Sequence, residues 1–96
     1  MKSELNMLAA VVKAKAGHTI IRRSDGYLHR VDDLQVNFTT KVIRAKVSND
    51  SGTVYDVKWD LYHRNVSCTC PAHRHGKTIP CKHAVATFRV VYHEFN

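Results

Sequence analysis

All three cysteines of this chain stand in two short arrays, Cys68-Thr69-Cys70 and Cys81-Lys82-His83, separated by a ten-residue spacer, 71–80. No other feature constrains the fold as much. Side chains two apart on a strand point to one side, so Cys68 and Cys70 can aim both sulfurs at a single point. Residues i and i+2 of a regular helix face apart, so Cys81 is expected at a helix entrance, still extended after Pro80, with His83 reaching back from the first turn. A thiolate is also favoured at a helix N-terminus. The spacer is long enough to bring the two pairs together.

Three sulfurs and one imidazole fill a tetrahedron and leave no open position, the hallmark of a structural rather than catalytic zinc site. We therefore expect one structural Zn2+ held by Cys68, Cys70, Cys81 and His83. His73 and His75, inside the spacer, compete with His83 for the fourth place, and iron–sulfur ligation is the alternative use of such a set. An odd number of cysteines argues against a disulfide framework and for a reducing compartment. The expected location is intracellular, cytoplasmic or nucleoid-associated. Residues 1–17 fit a secretory signal poorly, because the apolar run 7–12 is short and bracketed by Glu4 and Lys13. No apolar run approaches the 18 or so residues of a membrane span.

Around these arrays the pattern is α+β. Ser3 can cap a helix to about Ala16 with Leu5, Leu8, Ala9 and Val12 on one face and Gly17 as its stop. Residues 18–23 and 27–31 flank Ser24-Asp25-Gly26 and read as a small hairpin, with Asp32-Asp33 as a connection. Residues 40–47 place Ile43, Ala45 and Val47 on one face. Tyr55, Val57, Trp59 and Leu61 alternate with Asp56, Lys58 and Asp60 in a half-buried strand. Residues 66–70 complete an antiparallel meander. After Pro80 a helix carries Ala84, Phe88, Val91 and Phe95 as a stripe, with Lys82, Thr87 and Arg89 outward. Ninety-six residues make one compact domain, organised as 1–39 (helix plus hairpin) and 40–96 (zinc-bearing unit).

The segment from Cys68-Thr69-Cys70-Pro71 to Pro80-Cys81-Lys82-His83-Ala84, with the lead-in strand of Tyr55, Val57 and Trp59, resembles the SWIM zinc finger in a small, stand-alone form. The resemblance covers about residues 40–95 and implies a strand–strand–helix fold around zinc. It also implies a module that binds DNA or protein. SWIM fingers usually sit within larger proteins, such as helicase-like ATPases, Mutator-type transposases and recombinase partners, whose activities do not carry over. Residues 1–39 match no motif of the family.

Charge helps to choose the partner. Fifteen Lys and Arg stand against eight Asp and Glu, a net charge of +7; zinc bound by three thiolates and one imidazole lowers this by one. Residues 61–93 contain no acid, while Arg64, Arg74, Lys77, Lys82 and Arg89 all fall there. Such a cluster suits phosphates with little sequence choice. The expected function is a zinc-stabilised nucleic-acid-binding module, with DNA the first partner and RNA also open. The other reading is a protein-interaction adaptor of viral or mobile-element type docking on an acidic partner. No small-molecule substrate is expected, nor an enzyme: a zinc deaminase needs Pro-Cys-x-x-Cys and a partner glutamate, and Pro80-Cys81 lacks both.

Overall fold

The computed structural model describes residues 2–71 and 80–95. In chain order these form helix α1 (Lys2–Ser24), a 3-10 helix (Asp25–Arg30), strands β1 (Val31–Asn37), β2 (Val42–Ser48), β3 (Val54–Asp60) and β4 (Asn65–Cys68), and helix α2 (Lys82–Phe95). The four strands make one sheet in the order β1-β2-β3-β4, every neighbouring pair antiparallel. This is the α+β arrangement expected.

Short polar turns set the register. Asn37 Oδ1 accepts the backbone N–H groups of Thr39 and Thr40 at 3.0 Å, closing the β1–β2 turn. Asn49 Oδ1 likewise accepts from Ser51 and Thr53 in the β2–β3 turn, where Gly52 takes a positive φ of 87° that a side chain would strain. With register fixed, Ile43, Ala45 and Val47 face Trp59, Val57 and Tyr55 across β2 and β3. All except the half-buried Tyr55 are buried.

Helix α2 lies against the sheet and α1 packs on α2. The first half of α2 is therefore enclosed nearly all round, with Ala84, Val85, Ala86 and Thr87 fully buried. Leu5, Leu8, Val12 and Ala16 of α1 complete the core. Each large apolar side chain removed from water contributes about 1.5–3 kcal/mol. The burial of Thr87 corrects the outward placement expected for it; its hydroxyl is satisfied by donating to the carbonyl of His83 at 3.0 Å.

Residues 18–31 do not form a hairpin. Gly17 interrupts α1 with φ 71° and ψ 177°, a conformation nearly restricted to glycine, but the helix then resumes to Ser24. Ser24 itself has helical dihedrals, so Ser24-Asp25-Gly26 leads from α1 into the 3-10 helix instead of reversing the chain. The physical reason lies far away in sequence. Arg89 of α2 donates to the Ile21 carbonyl at 3.2 Å and to Ser24 Oγ at 2.8 Å, and it pairs with Asp25. Those contacts satisfy the groups that a helix end leaves open.

Asp32-Asp33, expected as a connection, belongs to β1. An irregularity between Asp32 and Gln35 lets the strand continue, with Asp33 at φ 51° as in a bulge. A division at residue 39 would thus cut the β1–β2 hairpin. The helix start also differs slightly, since α1 begins at Lys2 and places Ser3 inside its first turn.

Candidate metal centre

Strand β4 ends at Cys68, and Thr69 continues the pairing through its N–H to the Asp56 carbonyl at 3.1 Å. Thr69 Oγ1 in turn accepts the Asp56 N–H at 3.0 Å. This reciprocal clamp fixes the chain between the two cysteines, so Cys70 turns inward beyond the strand and is only 1 % exposed.

The second array is built by a helix cap. Cys81 precedes α2; its carbonyl accepts the Val85 N–H at 2.9 Å and its Sγ accepts the Ala84 N–H at 3.4 Å. That is the geometry of an N-cap residue bonding the third helical N–H, with sulfur in place of the usual oxygen. His83 sits two residues on, and its Nδ1 lies 3.8 Å from Cys81 Sγ. The i, i+2 spacing works because Cys81 stands outside the helix and His83 within it.

One ligand atom from each of Cys68, Cys70, Cys81 and His83 lies within 4.8 Å of the other three, and all four residues are buried. A tetrahedral ion with metal–sulfur bonds of about 2.3 Å needs ligand separations of roughly 3.8 Å, so a small contraction would close the set. The His83 ring packs beside Tyr27 and Tyr55, with centroids at 4.9 and 4.7 Å. Its Nε2 is buried without a hydrogen-bond partner among the described residues. Such an imidazole is poorly served by protein alone, and coordination through the ring suits it.

The thiols are already polarised. Cys81 is held well below the ordinary thiol range, first by a hydrogen bond from Cys68 and then, against burial, by His83 and the Ala84 N–H. Cys68, the donor in that pair, is pushed up by the same bond and by burial. A shared proton between two sulfurs is the place a metal cation takes over.

The basic residues are less gathered than the sequence implied. Lys82 is half-buried at the start of α2, with Nζ 5.0 Å from the centre of the Tyr27 ring. Arg64 is exposed in the β3–β4 turn at φ 57°, the far end of β4 from Cys68, about 13 Å along a four-residue strand. Tyr62 beside it is 71 % exposed. Arg89 is engaged with the end of α1 and acts as an internal tie. Arg74, Lys77, His73 and His75 lie outside the described residues. Sequence reasoning missed Arg23 and Tyr27, which lie close to the centre; the acid-free run 5–24 was the signal that could have pointed to Arg23, and Tyr27 lies beyond it.

No protein-family model matches the chain, and neither a curated protein nor a solved structure matches it. Among the described residues no helix is long and apolar enough to cross a membrane.

Proposed function

We propose that this protein is a zinc-stabilised nucleic-acid-binding module of SWIM-finger type, directed mainly at phosphates and weakly selective for sequence. The observation that carries the reading is the buried convergence of Cys68, Cys70, Cys81 and His83 at the junction of β4 and α2, inside a segment that is basic and free of acids. Three thiolates and one imidazole would hold zinc, which supplies a closed tetrahedral cross-link and no open coordination position. The chain's own groups do the rest. Lys82 stands at the helix entrance, and Arg64 extends the positive field to the β3–β4 turn. Arg74 and Lys77 belong to the same basic segment of sequence, whereas Arg89 is spent on α1.

Binding of this kind weakens steeply with salt, because each phosphate contact releases condensed counterions. The test is a salt-titrated binding assay of zinc-loaded protein with single- and double-stranded DNA and RNA. Binding with a steep negative slope supports the reading; absence of binding to all four at low salt overturns it.

One observation favours the second reading, an adaptor for an acidic protein partner. A largely apolar groove of about 630 Å³ runs between α1 and α2, lined by residues that include Val12, Ile21, Leu28, Val85 and Phe88, with Lys13, Arg89, His93 and Glu94 also in its wall. Stoichiometric capture of one protein without nucleic-acid affinity would select that reading.

A further inference from the structure

The sequence contains two acid-free basic stretches, 5–24 and 61–93, and the fold packs the first against the second through α1 and α2. They meet beside the candidate metal centre. A cleft of about 490 Å³ opens there, with Arg23 contributed by α1, Tyr27 by the 3-10 helix, Tyr55 by β3 and Lys82 by α2. Cys70, Cys81 and His83 form part of the same wall. Arg23 is exposed, and neither Arg23 nor Lys82 has an acidic partner among the described residues. Asp50, the one acid lining the cleft among the described residues, pairs with Arg30 at 2.9 Å. Lys82 lies over the Tyr27 ring, where it is held by the π-face without losing its charge.

We infer that this cleft seats one nucleotide of an unpaired nucleic-acid strand, with Arg23 and Lys82 gripping its phosphate and Tyr27 and Tyr55 forming an aromatic wall for the base. The inference rests on the nucleic-acid reading and gives it a substrate class and a location. Two cations supplied by different helices can converge on one phosphate from two sides. Aromatic walls beside a cationic groove are the common solution for single strands, because every base has a π-face. The volume is of the size that encloses a small ligand. A duplex presents its phosphates on a convex surface with the bases stacked inside, so it can touch the rim but cannot enter. Arg22 is exposed next to Arg23 and adds a second cation at the same end of α1.

The experiment compares zinc-loaded wild type with Arg23→Ala, Lys82→Ala and Arg44→Ala. The readout is fluorescence anisotropy, using a labelled single-stranded oligonucleotide and the matching duplex across a salt series. Wild type is expected to prefer the single strand. Arg23→Ala and Lys82→Ala should each weaken that binding about tenfold, the scale of a charge-assisted hydrogen bond, and reduce the salt slope by about 0.7 for each phosphate left without its cation. Arg44→Ala, exposed on the face of β2 opposite the buried Ile43 and Ala45 and absent from the cleft lining, should change affinity by less than about threefold. Lys82 adjoins two metal ligands, so zinc content and thermal melt are measured alongside; Arg23 is exposed and its replacement leaves the fold intact. Binding that survives both cleft substitutions, or equal affinity for the duplex, overturns the cleft while leaving the nucleic-acid reading standing. No binding by wild type to either strand form overturns both.

Discussion

The indole N–H of Trp59 donates to the carbonyl of Ala84 at 2.9 Å, in a fully buried contact between β3 and the first turn of α2. Ala84 is therefore held from both sides, since its own N–H is taken by Cys81 Sγ. The sheet, the helix start and the candidate metal centre are joined through a single alanine backbone. The Trp59 ring also packs on Phe88, one turn further along, with centroids 5.3 Å apart.

Trp59→Phe removes the indole N–H and part of the ring volume at a position 2 % exposed. Expected destabilisation is about 2 kcal/mol or more, combining the missing buried hydrogen bond with a partly unfilled site. Urea denaturation followed by circular dichroism measures it. A change below about 0.5 kcal/mol would mean that this bond does not tie the helix to the sheet.

Removing metal should have a larger effect. Structural zinc contributes about 10–16 kcal/mol in finger peptides, against a whole-domain stability of about 5–15 kcal/mol. Chelation, or Cys68→Ser, is expected to unfold at least the β4–α2 half and abolish a cooperative melt. Native mass spectrometry before and after chelation reports occupancy. An unchanged melt in verified metal-free protein would remove the metal from the account of the fold.

Arg89 tests the difference between a structural cation and a binding one. Its guanidinium joins Ile21, Ser24 and Asp25 at the end of α1 and is 36 % exposed. Arg89→Gln should lower stability by about 1 kcal/mol, the ion pair being discounted for solvent screening. Nucleic-acid affinity at fixed salt should change by less than about threefold, in contrast to the Arg23 substitution. Parallel melts and anisotropy titrations separate the two effects; a large drop in affinity without destabilisation would return Arg89 to the binding surface.

Glu4 in the first turn of α1 bonds to Lys41 in the β1–β2 turn. That bond, more than any other influence, lowers its carboxyl from 4.5 to about 2. A depressed folded pKa stabilises the native state above the unfolded value and stops doing so as pH falls through the folded one. The stability advantage of wild type over Glu4→Gln should accordingly be constant above about pH 5 and shrink as the solution is acidified toward about 2. Denaturant melts of both proteins across this range provide the check. A gap independent of pH would exclude the ion pair as its source.

Much of the fold could be read from sequence because its causes are local. Alternation at Ile43-Ala45-Val47 and at Tyr55-Val57-Trp59 reports a half-buried sheet, and the cysteine spacing reports ligands that do converge. Residues 18–30 could not be read in the same way. Ile20-Ile21 and a following Asp-Gly favour a hairpin locally, yet the helix persists because a guanidinium 65 residues away bonds Ser24. In β1 the bulge at Asp33 offsets the two-residue alternation, which disguises the strand. Thr87 failed for a third reason: a helix pressed between a sheet and another helix has little outward face, and a hydroxyl that bonds its own preceding turn can be buried there.

Cys81 gives the ion a second consequence. Its sulfur accepts the Ala84 N–H and faces the other ligands, so the ion would index the rotational phase of α2 as a key seats a shaft. Which side of that helix meets Trp59 would then follow from a bond made before the helix begins. Inserting one residue between Cys81 and Ala84 would turn Phe88 and Val91 about 100° from the sheet while leaving every core side chain present.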